Sequence, residues 1–243
     1  MKNIQMLNKI AKIGTDLLDH AIYNIGTEID NPDGILVRSA VMHDMVFGDK
    51  LQAIARAGAG VNNIPIDKCT EEGIVVFNTP GANANGVKEL VVCGMLLACR
   101  DVVGGIDWVK SVKDDAGVAK LVEKEKSKFA GTEVAGKTLG IIGLGAIGGP
   151  LANVAVSMGM NVIGCDPYMS VDAAWKISRS VKKVDTREEI FAQADFISIH
   201  TPLIDNADPK VNTKYMINKD TIAKMKDGVI LINNSRGQLI NEQ

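Results

Sequence analysis

Three glycines, Gly143, Gly145 and Gly148, stand in the spacing GxGxxG between an apolar run at 138–142 and a second at 161–165 that ends on Asp166. Strand, glycine turn, helix, strand and terminal acid, in that order, are what a dinucleotide site requires. The first glycine permits the turn, the second lets the backbone approach a pyrophosphate, and the third lets the helix pack closely on the sheet. A helix beginning near Ala146 would present free N–H groups and a partial positive charge to the phosphates at Ala146 and Ile147, and Asp166 would grip the ribose diol. No Arg or Lys follows Asp166 within several residues to welcome a 2′-phosphate, so the pattern predicts NAD rather than NADP. Two simpler readings compete. In a chain with 24 Gly the motif can arise as a plain helix–strand turn, but the flanking strands and the acid supply the context it demands. The uncharged span between Lys137 and Asp166 exceeds the ~20 residues of a membrane helix, yet its glycines with Pro150, Asn153, Ser157 and Asn161 argue against one.

Such a site needs parallel sheets to hold it. Apolar runs at 4–7, 34–37, 51–55 and 74–77 alternate with helical or loop segments such as 14–20 and 66–72, a βαβ rhythm that predicts a first parallel sheet. Asn78, Thr79, Pro80 and Gly81 break it with turn chemistry. A long helix is expected over 84–110, with Val87, Leu90, Val91, Gly94, Met95 and Ala98 at helical spacing, bridging two domains at 1–83 and 84–243. The charged stretch 112–137 reads as solvated helix and loop. Strands at 181–184, 196–200 and 229–233 and helices at 187–193 and 219–226 continue the second domain. The net charge of −2, with acids and bases interspersed, gives no sign of a nucleic-acid or membrane partner. The N-terminus lacks the apolar core of a signal peptide, leaving a cytoplasmic location as the expectation. Cys69, Cys93, Cys99 and Cys165 have no metal-ligand spacing and read as reduced core residues, so no metal is expected.

Further segments lie where these strands end: VRSA at 37–40, ARAGAGVNNI at 55–64, FNTPGANANGVKEL at 77–90, IHTPL at 199–203 and INNSRGQL at 232–239. With GLGAIG at 143–148 they resemble, in order and along essentially the whole chain, the D-isomer-specific 2-hydroxyacid dehydrogenases, phosphoglycerate-oxidising members above all. The resemblance implies an α/β architecture of two Rossmann-like domains: a flavodoxin-like substrate domain and a doubly wound NAD-binding domain lacking its last strands. It implies that Arg236 holds the substrate carboxylate and polarises the reacting carbonyl, a task suited to a permanently charged, forked guanidinium. Arg38 and Ser39 would contact the substrate's anionic groups, and Ala59, Gly60 and Val61 would line the carboxylate and nicotinamide. Thr201 and Pro202 would lie by the adenine, Asn234 and Ser235 near the nicotinamide half. Lys88 would reach a phosphate or simply be solvated.

The implied activity is NAD-dependent hydride transfer at C2 of a D-2-hydroxy acid, most simply 3-phosphoglycerate in serine biosynthesis. The alternatives are a hydroxypyruvate or glyoxylate reductase and a redox-incompetent NAD-binding regulatory or assembly module. The family's proton donor, a histidine paired with a glutamate, lies beyond the SRG segment in relatives, and the sequence ends at Gln243. The expectation is a fragment of a longer enzyme, or an intact short protein, with turnover slowed ~10²- to 10⁴-fold by loss of a general acid. His20, His43 and His200 are the remaining histidines, and only His200 adjoins the expected site. Relatives pair through the nucleotide domain around 101–129, so a homodimer is expected.

Overall fold

Short apolar runs bare of charge demand burial on both faces, which a parallel sheet covered by helices provides. The computed structural model, which describes residues 1–242, places them in two such sheets, one in each of two compact units, Met1–Asn83 and Ala84–Gln243. In the first unit the elements are β1 (Lys2–Met6), α1 (Lys12–Thr15), β2 (Tyr23–Gly26), β3 (Gly34–Val37), β4 (Ala53–Arg56), α2 (Ile66–Glu71) and β5 (Val75–Phe77). All pairings are parallel, in the order β2-β1-β3-β4-β5, the flavodoxin-like arrangement. Val37, Met42, Ile54 and Cys69 form the centre of its core. Strand β2 had no counterpart in the sequence reading. Of the segment 14–20, read as helix or loop, only Gly14 and Thr15 belong to α1; beyond it Asp19 turns the backbone, accepting the Ala21 N–H at 2.8 Å on its carboxylate and the Tyr23 N–H at 2.8 Å on its carbonyl.

The second unit holds α3 (Ala84–Cys99), α4 (Val102–Val112), α5 (Val118–Glu125), β6 (Thr138–Ile142), α6 (Gly148–Ser157), β7 (Asn161–Cys165), α7 (Val171–Ala174), β8 (Val181–Lys183), α8 (Arg187–Gln193), β9 (Phe196–Ile199), α9 (Lys219–Ile222) and β10 (Ile230–Asn233). The parallel order β10-β9-β6-β7-β8 is the doubly wound one. On one face Val91 and Met95 of α3 and Leu151 and Ala155 of α6 pack against Leu139, Ile141 and Val162. On the other, Ile190 and Phe191 of α8 meet Ile163, Ile197 and Ile199. A reciprocal capping box between Thr186 and Glu189 starts α8, and β10 lies at the border of the sheet among the described residues. The single helix expected over 84–110 is two. Asp101 interrupts it by taking a non-helical conformation and accepting the Gly104 N–H at 2.9 Å, an N-cap that begins α4. The helix expected over 219–226 closes after one turn. Among the described residues, no helix is long and apolar enough to cross a membrane.

Candidate cofactor site

The chain leaves β6 through Gly143, whose φ of +94° lies where only glycine sits without steric cost. Helix α6 begins at Gly148 rather than at Ala146, behind a turn that includes Ala146 and Ile147. A Cβ on Gly148 would collide with the Gly143 carbonyl oxygen, so this glycine is what lets the helix approach the strand end. Gly145 differs: nothing lies within 4 Å of where its Cβ would stand, and that side of the turn is open. Among the described residues, the backbone N–H groups of Gly145, Ala146 and Ile147 donate to no acceptor, which leaves the donors of a helix start free for an anion.

Parallel pairing of Ile142 with Cys165 brings the end of β7 beside this turn. Asp166 follows, and its carboxylate closes onto the turn: Oδ2 accepts the Leu144 N–H at 2.8 Å and Oδ1 the Tyr168 N–H at 2.9 Å. Two clefts flank it, both lined by Gly145, Asp166 and Tyr168. The larger, about 640 Å³, runs along α6 and reaches Ala146, Asn153 and Lys176. The smaller, about 280 Å³, runs toward β9 and is lined by Pro167, Thr201, Pro202, Ile204 and Val211 among others. Lys176 therefore shares a cleft with Asp166, a cation too distant in sequence to enter the reading of the strand end.

His200 lies on the wall of the smaller cleft. Its Nε2 is 2.8 Å from the Ser198 hydroxyl, and its buried Nδ1 has no partner. Burial lowers its pKa to about 4, so the ring is neutral at pH 7 and poorly suited to hold a proton for a substrate carbonyl. Burial likewise raises the Cys165 thiol, which keeps it unreactive.

The segment after β10 is braced by Asn233, whose Oδ1 accepts the Ser235 N–H at 3.1 Å and whose Nδ2 donates to the Arg236 carbonyl at 2.8 Å. The Ser235 hydroxyl donates to the Ile199 carbonyl at 2.7 Å, so it ties the ends of β9 and β10 together. Asn234 precedes it, half-buried. Arg236 is exposed, and its guanidinium meets only the Ser235 carbonyl, at 3.1 Å; no carboxylate pairs with it among the described residues. Lys88 bonds Asn85 on its own helix at 2.5 Å.

In the first unit, Arg38 and Ser39 follow β3 and the loop of Ala59, Gly60 and Val61 follows β4, at the neighbouring carboxyl ends of paired strands. The Asn8 side-chain oxygen accepts three consecutive backbone N–H groups, of Arg38, Ser39 and Ala40, at 2.9, 2.9 and 3.0 Å. Arg56 Nε donates to the Arg38 carbonyl at 3.1 Å and Asn78 to the Ala59 carbonyl at 2.6 Å. Asn8 went unremarked in the sequence, where a polar residue just past an apolar run was its only signal.

Residues 92–243 match the family model for the D-isomer specific 2-hydroxyacid dehydrogenase, NAD binding domain. The chain is 41% identical over 219 residues to a hydroxypyruvate reductase of Thermotoga maritima, covering 88% of this chain and 64% of that protein. It is 39% identical over 219 residues to a D-3-phosphoglycerate dehydrogenase of Methanocaldococcus jannaschii, covering 89% of this chain and 38% of that one. It thus spans less than two thirds of either relative. A crystal structure of NAD+-bound 3-phosphoglycerate dehydrogenase from Entamoeba histolytica superposes with a TM-score of 0.73 at 27% identity, over 99% of this chain and 74% of that one.

Proposed function

We propose, from the premise that this chain belongs to the D-isomer-specific 2-hydroxyacid dehydrogenase family, that it binds NAD at the β6–α6 turn and serves oxidation of a D-2-hydroxy acid at C2. 3-Phosphoglycerate, giving 3-phosphohydroxypyruvate for serine biosynthesis, is the favoured substrate. When bound, NAD supplies the hydride acceptor. The N–H groups of Gly145, Ala146 and Ile147 then hold its pyrophosphate, Asp166 its ribose diol, and Thr201 and Pro202 its adenine side, with Asn234 and Ser235 framing the nicotinamide half. Arg236 is assigned to the substrate carboxylate, while Arg38, Ser39, Ala59, Gly60 and Val61 form the first unit's substrate-contacting set.

The observation that carries this reading is Arg236: a guanidinium that pairs with no carboxylate among the described residues, at the carboxyl end of the sheet that also carries the glycine turn, where ligands bind in such folds. The Thermotoga relative favours reduction of hydroxypyruvate as the second reading. Burial keeps His200 neutral at pH 7, so the proton exchanged with the substrate oxygen is not assigned to it. Fluorescence titration with NADH, followed by assays of 3-phosphoglycerate oxidation and hydroxypyruvate reduction, tests the proposal. Failure of NAD and NADH to bind at millimolar concentration refutes it. Arg236→Ala is expected to keep NADH affinity and abolish oxo-acid binding; equal loss of both makes the residue structural.

The partner proposed is a second copy. Leu90, Leu96 and Leu97 of α3 and Val102, Val103, Ile106 and Val109 of α4 are each more than 40% exposed, an apolar surface that pairing would cover. Sedimentation as a monomer at micromolar concentration would exclude this.

A further inference from the structure

Residues 203–213, between β9 and the buried Met216, contain no helix or strand, and their hydrogen bonds run within the segment, to its flanks at Pro202, Lys214 and Met216, or to Arg187. Thr213 closes the base: its hydroxyl donates to the Pro202 carbonyl at 2.6 Å and accepts the Ile204 N–H at 2.7 Å, while its own N–H reaches the Ile204 carbonyl at 2.9 Å. Asn212 Oδ1 accepts the Asn206 N–H at 3.1 Å, and Lys214 pairs with Asp205 at 2.6 Å. Among the described residues, one side chain outside the loop and its flanks hydrogen-bonds its far side. Arg187, the first residue of α8, donates Nη1 to the Asn212 carbonyl at 2.7 Å and Nη2 to the Lys210 carbonyl at 3.0 Å. The fork thus straddles Val211, holding the carbonyls of the residues before and after it. Val211, Lys210, Thr213 and Ile204 line the 280 Å³ cleft together with Cys165, Asp166, Pro167 and Arg187.

We propose that Arg187 is a positioning residue of the cofactor cleft: by gripping the carbonyls on both sides of Val211 it holds the 203–213 loop in place as the wall against which the adenine ring packs. The proposal rests on the reading of this cleft as the adenosine half of the NAD site. A wall held by two charge-assisted hydrogen bonds is ordered before the ligand arrives, so the ligand does not bear the ordering cost. Arginine suits the task because its planar fork reaches two acceptors in one fixed geometry, which the single ammonium of lysine does not.

The test uses the full chain with NADH, AMP and nicotinamide mononucleotide as probes. Arg187→Met is expected to raise the dissociation constants of NADH and AMP together, by about tenfold, and to leave that of nicotinamide mononucleotide unchanged. Arg187→Lys falls between, and millimolar guanidinium restores part of the AMP affinity of Arg187→Met, an effect a general loss of structure does not show. Unchanged NADH and AMP affinities in Arg187→Met overturn the proposal, as does equal weakening of AMP and nicotinamide mononucleotide. If Arg187→Met does not fold, Arg187→Lys carries the same comparison. If the unaltered chain binds neither NADH nor AMP, the cofactor reading itself has failed, and Arg187 falls with it.

Discussion

Replacing Asp166 with alanine tests how a strand-end carboxylate divides its work between fold and ligand. An ionised carboxylate offers about four acceptor sites. Two are filled by the N–H groups of Leu144 and Tyr168, at 2.8 and 2.9 Å, leaving two, as many as the donors of a vicinal diol. Charge-assisted hydrogen bonds are worth roughly 1.5–3 kcal/mol each, and two to one diol overlap in effect. Asp166→Ala should therefore weaken NADH by about 2–3 kcal/mol, roughly 30- to 150-fold in Kd. NADPH should weaken less or bind better, because the negative charge that repels a 2′-phosphate is gone while Lys176 still lines the adjoining cleft. The structural share is smaller. The Tyr168 N–H is exposed and turns to water, whereas the part-buried Leu144 N–H loses its acceptor, costing about 1 kcal/mol and a few degrees of Tm in a chain of this size. Fluorescence titrations with both cofactors, beside scanning calorimetry, separate the two shares. A Tm drop with an unchanged NADH-to-NADPH affinity ratio would confine Asp166 to bracing the turn and refute its assignment to the ribose.

His200 predicts an acid-sensitive fold. Its pKa falls from 6.5 in the unfolded chain to about 4 in the native one, so between those values the unfolded chain binds the extra proton. Its contribution is fully present above pH 6.5 and is lost as pH falls toward 4, by up to roughly 3 kcal/mol at ~1.4 kcal/mol per unit. Urea melts across that window should show the slope, and His200→Asn should flatten it; an equal slope in the variant would trace it to other groups. The carboxylates act lower. At Asp195 burial pushes upward, but the Thr138 N–H and Lys226 outweigh it to give a net lowering, so its contribution is lost only as pH falls below the ordinary aspartate range. The glycines of the turn should separate by cause. Gly148→Ala, forced against the Gly143 carbonyl, should destabilise by about 1–3 kcal/mol or more, whereas Gly145→Ala, with open space around its Cβ, should change stability by no more than ~0.5 kcal/mol and still lower NADH affinity. Matching calorimetric losses in both would refute the assignment of Gly145 to ligand approach.

The glycine turn and its sheet were legible because buried parallel strands are written as uncharged apolar runs, and because GxGxxG constrains backbone geometry directly. Strand β2, reading YNIG, was not: it lies at a sheet edge and its residues escape full burial, so it shows neither an apolar run nor a clean alternation. The break at Arg100 and Asp101 was hidden because apolar spacing continues through it, while the cap depends on one carboxylate finding one N–H. The residues that frame the sites were the least visible. Arg187 and Asn8 act on the backbone of segments distant in the sequence, and backbone carries no side-chain identity to pair with. Their function exists only once the fold has set the distance.

Asn8 separates scaffold from selectivity in the first unit. Because one neutral oxygen gathers the amides of Arg38, Ser39 and Ala40, the bend after β3 keeps its shape without help from the side chains it displays. Both displayed side chains are exposed, so exchanging them would change the substrate contacts proposed for them while the bend survives. Chemical preference can therefore drift at those two positions across generations of sequence change, provided the asparagine stays.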